Sequence, residues 1–429
     1  MRTFQERLTN GFYALISLPS TAMGFALSIQ ISALSWLLTT KYHLDIHQVG
    51  FVWAAGPLAG IVGQVVIGLI SDRVWFWGGR RRPFILIGGT LAALMLLALP
   101  NIDLINEALG IGHLLAVAIA VALTLDLAIN ISFNPTRSII ADVTPEGEAR
   151  TKGYTWMQTI SGFFGVMAYV IGAVAGNYVL ISVGVGVVFL CSVVPVLFVT
   201  EQRGLQTGGS SGTGGARQTA TRWGELFRIY IAHGFSWIGV QTMFVYIIAF
   251  IHQKLMLTTD PGAVAQESGR IIAISFAILN TVGFLLPAPI LEPLAMRFGR
   301  VRVHLTALAI MAAGYFAIAT TTASPLMLYL LMGIVGIGWA SIVSLPFAIM
   351  TEKVEKSRMG FFMGIFNLSV VLPQLFVSLV LGTVIQQAAD KSIIFLISGI
   401  TLAVSAVVWL LVHEPKQNGG ADTAGGRSR

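Results

Sequence analysis

Charge is what this 429-residue chain has least of. Only 10% of its residues are Asp, Glu, Lys or Arg, against about 25% in a soluble protein, while 55% are hydrophobic. Water is therefore not the solvent for most of the chain, and a soluble globular protein is excluded. Its net charge of +7 could suggest nucleic acid, but the bases crowd one set of loops, so no nucleic-acid partner is expected. Cysteine is nearly absent as well: Cys191 stands alone in an apolar run, which rules out an intramolecular disulfide and a thiolate metal site. The N-terminus, MRTFQERLTNG, lacks the apolar core and small-residue cleavage site of a secretory signal and is expected to be retained. No nucleophile–base set, phosphate-binding glycine loop or His/Cys metal spacing is present, so neither an enzyme nor a bound cofactor or metal is expected.

Long apolar runs are what the chain has instead. Bounded by Gly/Pro or charged breaks, they predict spans at about 11–39, 48–70, 84–100, 113–141, 155–177, 179–199, 223–251, 270–291, 302–322, 325–349, 360–386 and 392–412. Twelve helices of about 20 residues each suit a bilayer about 30 Å thick. The expectation is an all-α membrane protein with twelve transmembrane helices in two six-helix pseudo-repeat halves, 1–199 and 223–412. A Gly/Ser/Thr-rich linker over 200–222 should join them, and a tail over 413–429 should be similarly unstructured. Placing both termini in the cytoplasm leaves only Lys41, Lys254, Arg270 and Lys391 of the 26 bases on the outer side. That asymmetry fixes the orientation. Short loops and a bare N-terminus suit a bacterial inner membrane, and a monomer is expected.

One carboxylate sits where none should. Asp126 lies about 18 Å along the fourth span, near the bilayer midplane, where an acid costs about 2.5–3.5 kcal/mol on insertion scales. Such a group faces a protein interior or a watery cavity and handles protons, ions or polar solutes. Asn130, Phe133 and Arg137 share its helical stripe. Arg137 is about 16 Å away along the axis and cannot neutralise it. Asp126 must then be protonated, meet a cation from elsewhere, or bond to a substrate. No second mid-membrane acid is present to build the oxygen-rich site that sodium prefers, which favours the proton as coupling ion. A protonated Asp bonded only to a neighbouring helix is the plainer alternative.

The halves echo each other. Asp72-Arg73 followed by Gly79-Arg80-Arg81-Arg82 comes after span two, and Glu292 with Arg297-Phe-Gly299-Arg300 comes after span eight. Each places an acid at a helix end ahead of a tight turn and bases, as a cytoplasmic gate with alternative partners would need. Asp142 and Arg150, on either side of the loop after span four, and Arg137 are expected to join that gate, although bases in such loops also serve orientation alone. For a polar solute the candidates are amides within apolar spans: Gln30, Gln64, Asn130, Gln158, Gln241, Asn280, Asn367 and Gln374, with Trp53, Trp156, Trp237 and Trp339 as stacking surfaces. Amides also bridge helices for about 0.6 kcal/mol each, so every one has a structural alternative. Pro135, Pro287, Pro289, Pro346 and Pro373 are expected to interrupt helices, and His233 is the one histidine placed within a span.

The Asp72-Arg73 to Arg82 run resembles the signature of the major facilitator superfamily. A wider set is similar, more narrowly, to the plant sucrose–proton symporters and their animal and bacterial relatives. That set comprises Gly56-Pro57, Asp126 with Asn130, Pro135-Thr-Arg137, Arg150-Thr-Lys152, Glu292-Pro293, Ser344-Leu-Pro346-Phe347, Met363-Gly364 with Asn367, and Pro373-Gln374. The resemblance implies inward symport of a disaccharide or glucoside, such as sucrose or maltose, with Asp126 as the proton-coupling acid and Gln30 and Asn130 at matching positions. An exporter or antiporter of another small solute, or a sugar sensor that does not transport, is the remaining alternative.

Overall fold

The computed structural model describes residues 7–61, 70, 74–145, 148–201, 222–351, 353–354 and 359–414. Gln64, Asp72 and Arg73 lie outside the described residues, as do most of the linker and tail. The N-terminal set of helices comprises α1 (Asn10–Thr40), α2 (Ile46–Trp53), α3 (Arg82–Ala98), α4 (Ile102–Leu109), α5 (Leu114–Val143), α6 (Glu148–Ala175) and α7 (Asn177–Phe198). The C-terminal set comprises α8 (Trp223–Lys254), α9 (Pro261–Leu285), α10 (Glu292–Phe298), α11 (Arg300–Thr321), α12 (Pro325–Thr351), α13 (Met359–Phe376), α14 (Gly382–Gln387) and α15 (Ile393–Trp409). Among the described residues, ten helical runs are long and apolar enough to cross a membrane, and α15 is a shorter apolar helix. The protein is an integral membrane protein, built of helices that satisfy their own backbone groups.

Two boundaries differ from expectation, each for a local reason, and three of the expected proline breaks do not occur. The third run does not stop at Pro100, because a 3-10 turn over Leu99–Asn101 carries it into α4. Proline is tolerated in the first turn of a helix, where its missing N–H has no partner to lose, and Pro100 is the second residue of this turn. The Tyr42 hydroxyl stitches the junction, donating to the Leu99 carbonyl at 2.7 Å and accepting from the Ile102 N–H at 3.0 Å. α9 starts nine residues before the expected 270, since Asp260 caps it through Ala263 N–H at 2.8 Å and Pro261 opens it. Pro135, Pro346 and Pro373 lie inside continuous helices. Pro287 and Pro289 instead occupy a π-turn over Pro287–Leu291, where the shifted register absorbs their missing donors.

Packing within the two sets follows one scheme. In the N-terminal set, α1 packs on α6 and α7, and α3 on α5 and α7; in the C-terminal set, α8 packs on α13 and α15, and α11 on α12 and α15. Between the sets, α6 meets α9, and α2 meets α14 with the π-turn over Val377–Leu381. Among the described residues, four hydrogen bonds cross this seam at the end opposite the chain termini: Ser35 Oγ to Val245 O (2.9 Å), Trp36 Nε1 to Ala265 O (2.6 Å), Ile46 N to Gln386 Oε1 (3.1 Å), and Thr383 Oγ1 with His47 Nδ1 (2.9 Å). Gly50 lets the backbones touch there, because a Cβ would come within 2.3 Å of the Ser378 carbonyl.

Candidate functional site

Asp126 lies midway along α5, buried to 6% exposure. Its Oδ2 accepts a hydrogen bond from Gln30 Nε2 of α1 at 2.9 Å. One turn later Asn130 donates its Nδ2 to the Asp126 backbone carbonyl at 2.8 Å. Gly56, three residues past the end of α2, brings the backbone against the carboxyl group: a Cβ there would sit 3.3–3.4 Å from Oδ2, Cγ and Oδ1. No Lys, Arg or His among the described residues pairs with Asp126. It is a carboxyl group in a low-dielectric setting whose partner in the chain is a neutral amide.

Around it opens a cavity of about 430 Å³ between the two helix sets. The N-terminal wall is Gln30, Trp53, Asp126, Asn130 and Phe133, and the C-terminal wall is Trp237, Gln241, Phe244, Trp339, Asn367 and Gln374. The size falls in the range of about 300–1,000 Å³ usual for small-molecule sites. Gln374 Nε2 donates to Gln241 Oε1 at 3.3 Å, which sets the two amides side by side. Trp339 stands edge-on to both Trp237 and Phe244, at centroid distances of 6.0 and 5.3 Å. An acid and amides facing aromatic rings can bind a polyhydroxylated solute by its hydroxyls and by its apolar face. A larger cavity of about 720 Å³, lined by Trp36, Asn177 and Arg270, lies at the end away from the termini and lacks such an acid.

Two of the expected amides are placed elsewhere. Gln158 is exposed on α6 and does not line the cavity. Asn280 stands one layer behind it, with Nδ2 bonded to Phe276 O at 2.9 Å and Oδ1 accepting from Trp339 Nε1 at 3.3 Å. Both lie within apolar helices, so composition could not separate them from Gln241; only the rotation of each helix in the bundle does.

The family described as Major Facilitator Superfamily matches residues 17–286 and 257–428. The chain belongs to the Major Facilitator Superfamily. Within it, the chain is 26% identical over 393 residues to the sucrose transport protein SUT2 of Oryza sativa subsp. indica, covering 76% of this chain and 78% of that protein. It is 30% identical over 174 residues to the general alpha-glucoside permease of Schizosaccharomyces pombe, which spans 36% of this chain and 31% of that protein's length. The fold is also that of the crystal structure of a D-xylose-proton symporter (TM-score 0.69, 14% identity, 94% of this chain and 97% of that one). A mutant of the nucleoside transporter NupG shares it too (TM-score 0.74, 13% identity, 94% and 100%).

At the terminal end of this superfamily member, the expected gate is only partly assembled. Asp142 binds Arg80 Nη2 at 2.8 Å and Arg81 Nε at 3.2 Å, joining the end of α5 to the start of α3. Arg137 does not join them; its guanidinium lies 4.3 Å over the Phe133 ring, and no described carboxylate pairs with it. Glu292 and Arg297 are exposed without an ion pair among the described residues, and Arg297 instead lies 5.1 Å from the Phe298 ring. Arg150 lies in α6, but its side chain is outside the described residues.

Two acids that the sequence pattern did not single out do the joining. Glu201, just past α7, accepts the backbone N–H groups of Arg80 (2.9 Å), Arg81 (3.0 Å) and Arg82 (2.8 Å) at the start of α3. Glu414, just past α15, accepts those of Arg300 (2.7 Å) and Val301 (2.9 Å) at the start of α11. Each carboxylate satisfies orphan helix donors and meets the positive end of the helix dipole. Glycine precedes both arginine turns because a Cβ at Gly79 would come within 2.4 Å of Glu201, and one at Gly299, whose φ is +95°, within 2.7 Å of Glu414. The signal was the parallel spacing of Val199-Thr-Glu201 and Val412-His-Glu414.

Proposed function

We propose that this protein is a secondary transporter that carries a disaccharide or glucoside, sucrose or maltose foremost, into the cell together with a proton. The single observation that carries the reading is Asp126: a buried carboxyl group on the cavity wall, bonded to Gln30 and unmatched by any described base. In this reading the fold is twelve spans in two six-helix halves that rock about the seam. The shared packing scheme of the two helix sets and the repeated Glu201 and Glu414 caps support it. Both termini face the cytoplasm of a bacterial inner membrane, as the distribution of bases favours, and the protein works as a monomer. The names of the relatives, an alpha-glucoside permease and sucrose transport proteins, support the substrate class.

The mechanism follows from charge. Closing the cavity around an ionised Asp126 would strand a bare charge in low dielectric. Protonation removes that penalty, and a sugar hydroxyl can then bond to the neutral acid and to Asn130, so proton and sugar favour each other. Gln30 stays attached in either protonation state, because its amide donates to the carboxyl oxygen. The amides Gln241, Asn367 and Gln374 meet further hydroxyls, and Trp237, Phe244 and Trp339 cover the apolar face of a ring. One proton entering down 100 mV supplies about 2.3 kcal/mol, enough for roughly 50-fold accumulation of a neutral sugar.

The test is uptake of labelled sucrose and maltose into proteoliposomes with an imposed inward proton gradient. Accumulation that an uncoupler abolishes and that sodium does not replace is the expected result. Folded protein that accumulates neither sugar, nor any other glycoside, would overturn the reading.

A further inference from the structure

His233 does not line the cavity, yet it is fixed between Phe366 and Trp237, and Trp237 does line it. It is buried to 3% exposure in α8. Its ring stacks on Phe366 of α13 at 4.7 Å and 15°. One turn along α8, Trp237 donates its indole N–H to His233 Nε2 at 2.9 Å. An indole nitrogen can only donate, so Nε2 carries the lone pair and the ring proton sits on Nδ1. That Nδ1 is buried and has no hydrogen-bond partner among the described residues. A phenylalanine would stack on Phe366 equally well without burying an unpaired polar atom, which is unfavourable in a core. What histidine adds at this position is the acceptor for Trp237.

Trp339 is held in the same manner from the far side, its N–H turned onto Asn280 Oδ1 at 3.3 Å. With both indole N–H groups engaged behind the wall, the two tryptophans offer the cavity ring surface and not donors. We propose that His233 is a positioning residue: through its hydrogen bond to Trp237 it fixes the tilt of the indole so that a ring face is presented to the substrate's apolar side. The inference rests on the sugar-transport reading for its consequence, but the hydrogen bond itself can be tested without it.

His233→Phe keeps the stack on Phe366 and removes the acceptor; His233→Gln keeps an acceptor within reach of the indole. Sugar uptake by His233→Phe should show KM raised about 3- to 10-fold with maximal rate little changed, as expected for loss of one aromatic contact. His233→Gln should recover most of that loss. In a Trp237→Phe background, His233→Phe should add nothing further, because its only route to the substrate is gone. Independently of transport, fluorine NMR of 5-fluorotryptophan-labelled protein should show the resonance lost in Trp237→Phe shifting in His233→Phe and returning towards its place in His233→Gln. Additive effects of His233→Phe and Trp237→Phe on KM, or an unmoved Trp237 resonance, would overturn the inference. Absence of any sugar transport by folded wild-type protein would overturn the sugar reading, with the resonance still deciding whether His233 holds Trp237.

Discussion

The two walls of the cavity are chemically unlike, although the helices behind them pack alike. The N-terminal set supplies Gln30, Asp126 and Asn130 beside the rings of Trp53 and Phe133, and with Asp126 the one carboxyl group among the described lining residues. The C-terminal set supplies Trp237, Phe244 and Trp339, with only neutral amides for polarity. At the terminal end the sets agree again, with Glu201 over the start of α3 and Glu414 over the start of α11. Repetition at the ends with divergence in the middle separates scaffold from chemistry. The caps tie neighbouring helices together within each set, and in the proposed function the first wall holds the group that takes a proton while the second supplies surface for the solute.

The largest effect should come from the charged wall. Asp126→Asn should abolish proton-driven accumulation, a loss of the roughly 50-fold gradient available from 100 mV, while sugar exchange at equal concentrations on both sides continues. Proteoliposome uptake with and without the gradient checks both. A variant that still concentrates sugar would break the assignment of the proton to this wall. On the other wall, Trp237→Leu and Trp339→Leu should each raise KM by up to about tenfold and leave the proton-to-sugar ratio intact. A change in that ratio would show that the walls share one task.

Smaller effects test the agreement at the ends. Glu201→Ala and Glu414→Ala each remove a helix-capping carboxylate and should each cost about 0.5–2 kcal/mol, read as a lower melting temperature. The loss at Glu201 should be the larger because it holds three N–H groups against two. Equal losses, or none, would say that the resemblance of the caps is geometric only. Smallest of all is Asp390 in the turn before α15. The Ser392 N–H, at 2.8 Å, and then Lys254 hold its carboxyl below the ordinary carboxylate range. Its contribution is complete above the unfolded-state value and fades as pH falls through the depressed folded one. Because the pair is exposed, Asp390→Asn should cost under about 1 kcal/mol. Melting temperatures of wild type and variant should converge only in that acid window, and a difference that grew as the pH fell would contradict the sign.

Much of this architecture was legible in sequence, and the illegible parts share a cause. Asp126 stands out because a carboxylate in an apolar helix is costly anywhere, so its position alone carries information. The amides do not: Gln158 and Gln241 look the same in an apolar run, and only helix rotation sends one outward and the other inward. Asn280 is subtler still, since it touches the cavity only through Trp339. Pro100 and Pro135 were read as breaks, but the ends of a proline-containing helix depend on whether a neighbour such as the Tyr42 hydroxyl satisfies the freed groups. Glu201 escaped notice because it borders the Gly/Ser/Thr-rich stretch read from sequence as a linker, and its partners lie over a hundred residues away. Local chemistry was readable; partners distant in sequence were not.

Ser35 shows how little separates the cavity from its closed end. Trp53, on the cavity wall, donates its N–H to Ser35 Oγ at 2.8 Å, and the Ser35 hydroxyl in turn donates a hydrogen bond to the Val245 carbonyl across the seam at 2.9 Å. The sense of this relay is fixed, since the indole cannot accept and the carbonyl cannot donate. Mechanically it is a lever with one joint. In the proposed transport cycle, a solute that turned the Trp53 ring would pull on the bond that clasps the two helix sets together, so that occupancy of the cavity and the tightness of its seal would be one coordinate and not two.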